Sequence, residues 1–144
     1  MKIYRQTLEL RTSADTDILD LSSEVTECVA RSGVREGQVL VFTPGSTAAV
    51  TTIEYESGAI NDFKRLLERL APAGGEYEHN LRWGDGNGYS HVRSALVGPS
   101  LSVPVAEGRP VVGTWQQIVL CDFDNRARHR RVVVQVMGQE EPYS

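Results

Sequence analysis

Cysteine is nearly absent. The 144 residues hold only Cys28 and Cys121, far apart and each inside a stretch that reads as regular structure. A small secreted scaffold would carry several cysteines at loop positions, so a disulfide framework is excluded and both are read as reduced thiols in or near the core. Long apolar runs are missing too. The opening segment, Met1 to Gln6, has charges where a signal peptide needs an apolar stretch, and nothing approaches the length that spans a bilayer. A cytosolic protein with no membrane partner is therefore expected. There is no excess of positive charge either: 19 acidic against 15 basic residues leave a formal charge of −4, which gives a polyanion no general attraction and argues against nucleic acid as a partner. Neither the phosphate-binding lysine pattern nor the full dinucleotide glycine fingerprint occurs, so nucleotide hydrolysis and hydride transfer have no support. The chain has no repeat, heptad or low-complexity segment.

What is present suits one domain over residues 1–144, long enough to bury about two thirds of its unfolded surface. From Ile3 to Arg11 the pattern has period two, with Tyr4, Leu8 and Leu10 on one face and Arg5, Thr7, Glu9 and Arg11 on the other, which predicts a half-buried strand. A serine cap and Glu24 ahead of Val25, Cys28 and Val29 predict a short helix that Gly33 closes in a left-handed conformation. Gln38–Phe42 and Thr47–Tyr55 read as strands lying side by side across the break at Thr43-Pro44-Gly45. Ile60, Phe63, Leu67 and Leu70, three and four apart with charges between them, predict an amphipathic helix that Pro72 ends. Leu101–Val105, Val111–Phe123 and Arg131–Met137 complete a β-rich second half, with a turn at Glu107-Gly108-Arg109-Pro110. About two helices among roughly seven strands, not in regular alternation, predict an α+β, two-layer fold and not a doubly wound parallel sheet.

Chemistry concentrates in Glu78–His91, a glycine-broken stretch with two of the three histidines, His79 and His91, together with Asp85 and Asn87. A histidine of this kind is often only a hydrogen-bonded structural residue. Two imidazoles with Asp85 or Glu54 would also furnish a mixed nitrogen and oxygen site for zinc or a similar ion, although a His-to-His separation of twelve matches no compact zinc motif. Alternatively, one histidine moves a proton near neutral pH while Asp85 or Glu54 fixes its tautomer. Gly84, Gly86 and Gly88 suit a bending loop, read as a plain turn, although freed N–H groups there are able to cradle an anion. In Gly113-Thr114-Trp115-Gln116-Gln117, strand alternation puts Gln116 and Gln117 on opposite faces, so one carboxamide faces the interior or an interface, or satisfies a neighbouring backbone group. Arg126, Arg128, His129, Arg130 and Arg131 crowd together where an anion would be welcome.

These residues add up to a resemblance. Thr47-Ala48-Ala49-Val50-Thr51 with Glu54, His79-Asn80, Gly86-Asn87 with His91, Leu96-Val97-Gly98-Pro99-Ser100 with Pro104-Val105 and Gly108, the Gly113–Gln117 run, and Arg128 with Arg130-Arg131 together resemble the YjbQ family over nearly the whole chain. The resemblance implies a small α+β protein with a β-sandwich-like core of mostly antiparallel strands. It also implies a homotrimer with polar pockets near subunit boundaries. The family is often labelled a secondary thiamine-phosphate synthase, which joins a pyrimidine diphosphate to a thiazole phosphate and needs a divalent ion, magnesium or zinc, and basic groups around the diphosphate. On that reading His91 is acid/base or metal ligand, with His79 as the other metal ligand, and Asn87 and Gln116 orient a small phosphorylated metabolite. Arg93, Arg126, Arg128 and Arg130 then hold its phosphate. Two positions depart from the family pattern: Gly45 and Tyr89 stand where members usually carry histidines. The remaining readings are a non-catalytic binder of a small anionic metabolite and a metal-dependent hydrolase.

Overall fold

The computed structural model describes residues 1–142. In chain order the elements are β1 (Lys2–Thr12), β2 (Asp17–Asp20), α1 (Ser22–Ser32), β3 (Glu36–Phe42), β4 (Ala48–Ile53) and α2 (Ser57–Leu70). Then follow α3 (Glu78–Trp83), α4 (Gly88–Val97), β5 (Ser100–Ala106), β6 (Arg109–Pro110), β7 (Gln117–Asp122) and β8 (Arg128–Gln139). The fold is α+β. One sheet runs β1-β8-β3-β5-β6 and the other β2-β7-β4, every neighbouring pair antiparallel.

The two sheets face each other. Val39 and Val41 of β3 and Val132, Val134 and Val136 of β8 meet Val50 of β4 and Ile118 and Leu120 of β7, and α1 adds Val25, Cys28 and Val29, with Leu21 just ahead of it. The three-stranded sheet buries its other face as well: Ala49, Val119 and Cys121 pack with Leu67, Ile60 and Phe63 of α2 and Val97 of α4. Cover on both faces explains why β7 is a continuous apolar run instead of an alternating one. Each fully buried Val, Leu or Ile contributes on the order of 1.5–3 kcal/mol. Cys28 and Cys121 are free and belong to different packing clusters, in keeping with reduced core thiols.

Several expectations need correction. Strands β3 and β4 do not pair; the Thr43–Thr47 segment carries the chain from one sheet to the other. Likewise, residues 111–116 are not strand but the crossing from β6 in one sheet to β7 in the other, with Trp115 73 % exposed. Among the described residues four helices form, not two, because the stretch read as a glycine-broken turn contains α3 and the start of α4; Gly84 closes α3 at φ +72°. Helix α1 starts without the predicted serine cap: Asp20 Oδ1 accepts from the Ser22 N–H at 2.9 Å, while Ser22 Oγ accepts from Ile118 N–H.

Candidate functional site

One corner of the sandwich gathers polar groups. Here β7 ends at Asp122, the turn Phe123–Ala127 crosses to β8, and β4 begins beside Thr47, whose carbonyl accepts from Phe123 N–H at 2.9 Å. Helix α4 is fastened over that corner by two hydroxyls: Ser90 Oγ donates to Phe123 O at 2.5 Å and Ser94 Oγ to Ala48 O at 2.6 Å. Helix α3 is tied to α4 by Asn80 Oδ1, which accepts from Gly88 N–H at 2.9 Å. Gly88 permits this approach, since a Cβ there would lie 2.6 Å from Tyr77 Cβ.

This arrangement brings His79 and His91 together, ring centroids 4.3 Å apart and tilted 40°. Asp85 Oδ1 lies 3.8 Å from His79 Nδ1, near enough for charge but beyond a hydrogen bond. Burial holds the His91 pKa below the ordinary imidazole value, the His79 ring adds to the effect, and Asp124, Asp85 and the Ser46 carbonyl oppose it. His91 is therefore a neutral imidazole at pH 7, the form that accepts a proton.

Beneath the histidines sits Asp124, 1 % exposed at its side chain. Its Oδ1 accepts from Asn87 Nδ2 at 3.2 Å and Asn125 N–H at 2.8 Å; its Oδ2 accepts from Thr47 Oγ1 and Arg128 Nε, both at 3.2 Å. Burial raises the Asp124 pKa, but Asn87, the Asn125 N–H, Arg128 and Thr47 outweigh it and hold the carboxyl below its usual range. Asp122, fully buried, grips Arg130 by two bonds, Nε to Oδ2 at 2.7 Å and Nη2 to Oδ1 at 2.8 Å. Arg130 Nη2 also donates to Thr47 Oγ1 at 2.6 Å. Arg130 is only 5 % exposed, and its Nη1 faces Gly45, where a Cβ would lie 3.3 Å away. Outside it lies a cleft of about 530 Å³ lined by Pro44, Gly45 and residues 126–131. A side chain at position 45 would meet Nη1, and its φ of +144° favours glycine in any case.

The other sequence-derived site residues lie elsewhere. Glu54 is exposed just beyond the far end of β4, seven positions from Thr47, about 23 Å at roughly 3.3 Å per residue. Gln116 is at that far end too, accepting from Gly113 N–H and donating to Thr52 Oγ1, and Gln117 Oε1 accepts from Tyr55 N–H. The two carboxamides satisfy local groups. Arg93 is buried and committed to Ala71 O, Thr16 Oγ1 and Glu68, so it is not an anion holder. Among the described residues no group of three or more His, Cys, Asp or Glu side chains is placed to hold a metal ion. The two imidazoles lie 4.3 Å apart at a 40° tilt and Asp122 and Asp124 are occupied by arginines, so the described side chains of one chain do not by themselves complete a divalent-ion site.

Asp122, Asp124 and Asn125 went unread in the sequence. The signal was there: Asp122-Phe123-Asp124-Asn125 closes an apolar strand with carboxylates just before the arginine cluster, and a buried carboxylate needs a cation.

The sequence model described as UPF0047 protein YjbQ-like matches residues 6–139. A UPF0047 protein of Methanothermobacter thermautotrophicus is 39 % identical over 139 residues, covering 96 % of this chain and 95 % of that protein. One of Archaeoglobus fulgidus is 38 % identical over 130 residues, covering 90 % and 98 %. Among solved structures, a YbjQ-like protein of unknown function from Sulfolobus solfataricus superposes with a TM-score of 0.91 at 30 % identity, over 96 % of this chain and 99 % of that one. The two-sheet fold and these relatives agree, and the chain belongs to the YjbQ-like, UPF0047 family.

Proposed function

We propose that the protein binds a small phosphorylated metabolite, anionic group first, in the cleft between Gly45 and the 126–131 segment, in the cytosol. The observation that carries this reading is Arg130: Nε and Nη2 are fixed by Asp122 and Thr47, leaving Nη1 directed at the glycine-lined cleft. A guanidinium held in this way donates to phosphate with no side-chain entropy left to lose. Arg128, one third exposed, and Arg126 line the same cleft and add charge. His91, neutral and close by, is suited to take a proton from the bound ligand.

The specific reaction this reading accommodates is the thiamine-phosphate synthase type, whose two substrates both carry anionic groups for the arginines. The described side chains do not by themselves complete a divalent-ion site, so in this reading the arginines carry the anionic groups. The same geometry disfavours a metal-dependent hydrolase. A homotrimer is the proposed assembly.

Calorimetric titration with inorganic phosphate and pyrophosphate tests the binding. Saturable binding is expected, weakened roughly ten- to a hundredfold in Arg128→Gln, the magnitude of a lost charge-assisted hydrogen bond. Absence of binding at millimolar anion to folded protein would reject the reading. Formation of thiamine phosphate that depends on His91, compared with a His91→Ala variant and a no-protein blank, would fix the chemistry as the transferase.

A further inference from the structure

A second opening lies on the other side of the arginine segment. It is a cleft of about 340 Å³ lined by Arg11, Thr12, Ala127, Arg128 and His129. Ala127, Arg128 and His129 also line the cleft at Gly45, so the two openings share one wall. Thr12 is buried and already engaged, donating to Asp122 Oδ2 at 2.6 Å. Arg11 and His129 are exposed, and none of the ion pairs among the described residues uses either of them.

Pairing of β1 with β8 sets Arg11 directly opposite His129. Arg11 brings a full positive charge, and His129 supplies an N–H donor in either protonation state. Arg128, in the shared wall, has Nε fixed by Asp124 Oδ2 at 3.2 Å while one third of its side chain stays exposed. The second cleft thus offers donors and positive charge with no carboxylate in its lining, which suits an anion.

Sheet topology sets the spacing between the two openings. In strand order β8 lies between β1 and β3. Arg11 stands on the β1 side. Pro44 and Gly45 follow β3, and Thr43 Oγ1 donates to Arg131 O at 3.3 Å, which keeps that segment along the opposite side of β8. Two strand spacings separate these sides, on the order of 10 Å. The directly linked phosphates of a diphosphate do not span that distance, whereas two phosphates at the ends of a linker do.

We infer that the Arg11–His129 cleft is a second subsite for the same ligand, which carries two phosphate groups joined by a linker of several atoms. This rests on the anion-binding reading above and narrows it to bisphosphorylated metabolites. Arg128 serves both groups, and Arg11 only the second.

Wild-type protein is titrated by calorimetry with inorganic phosphate, hexyl phosphate, pyrophosphate and hexane-1,6-diyl bisphosphate. The expected result is one bisphosphate per chain, bound at least about tenfold more tightly than hexyl phosphate, because the second contact is made within a molecule already bound. In Arg11→Gln that advantage falls to about twofold, the statistical factor for two equivalent ends, while hexyl phosphate binds as before. Arg11 is exposed, so the variant keeps the far-ultraviolet circular dichroism of the wild type. A bisphosphate no tighter than the monoester overturns the inference and leaves the anion reading standing, as does an advantage that survives Arg11→Gln. Pyrophosphate that gains as much from Arg11 as the bisphosphate overturns it too, by placing the two anions side by side. Failure of every probe, inorganic phosphate included, rejects the anion reading itself.

Discussion

His91 links stability to pH with a definite sign. Burial, then the neighbouring His79 ring, depresses its folded pKa below the unfolded value of about 6.5, so the unfolded chain binds more protons between the two values. The stability contributed by neutral His91 is fully present above about pH 6.5 and is lost as pH falls through the folded value. The urea midpoint should therefore drop between pH 7.5 and 5.5, and drop less in His91→Gln; parallel curves for the two proteins would contradict the assignment. Asp124 acts in a separate window, because its lowered pKa confines its loss to below the ordinary carboxylate range. At this scale the sequence was half legible. Polar residues close in the chain announced the cluster of His79, His91, Asp85 and Asn87, while Glu54, Gln116 and Arg93 looked equally suitable and lie away from it. Residue type shows capability; the neighbours that exhaust it, as Glu68, Thr16 and Ala71 exhaust Arg93, arrive only with the fold.

Periodicity made β1, α2 and β8 readable, since each shows a clear face. It failed where a segment changes sheets, at Thr43–Thr47 and at 111–116, because alternation records burial and not which sheet does the burying. It failed again at α3 and α4, where three glycines masked two helices. Gly84 ends one in a left-handed cap and Gly88 opens the next because the chains touch there. Gly88→Ala tests this juncture. Its Cβ would meet Tyr77 Cβ at 2.6 Å and Asn80 Oδ1 at 2.9 Å, an overpacking that costs about 1–3 kcal/mol and displaces α3 from α4. A lower urea midpoint is expected, together with altered His79 and His91 imidazole shifts by NMR. Unchanged stability would mean that α3 does not press on α4 as described.

Taken as a whole, the molecule covers its three-stranded sheet with helices whose outer faces are not fully polar. Leu66 and Leu70 on α2 and Val92 and Leu96 on α4 form pairs four residues apart that stay about half exposed in the single chain, at 50, 59, 46 and 59 %. Apolar pairs repeated on neighbouring helices are a surface that association would bury. Val92 directly follows His91, so contact along α4 would bring a second subunit to the rim of the histidine cluster. The proposed homotrimer and the proposed site would then share an element. Light scattering at micromolar concentration should give three times the 15.9 kDa chain mass. Val92→Glu with Leu96→Glu should lower that mass while the far-ultraviolet circular dichroism is kept, because both side chains already face outward. A wild-type monomer would reject the assembly. A trimer indifferent to the double substitution would move the interface off α4 and leave the histidine cluster within one subunit.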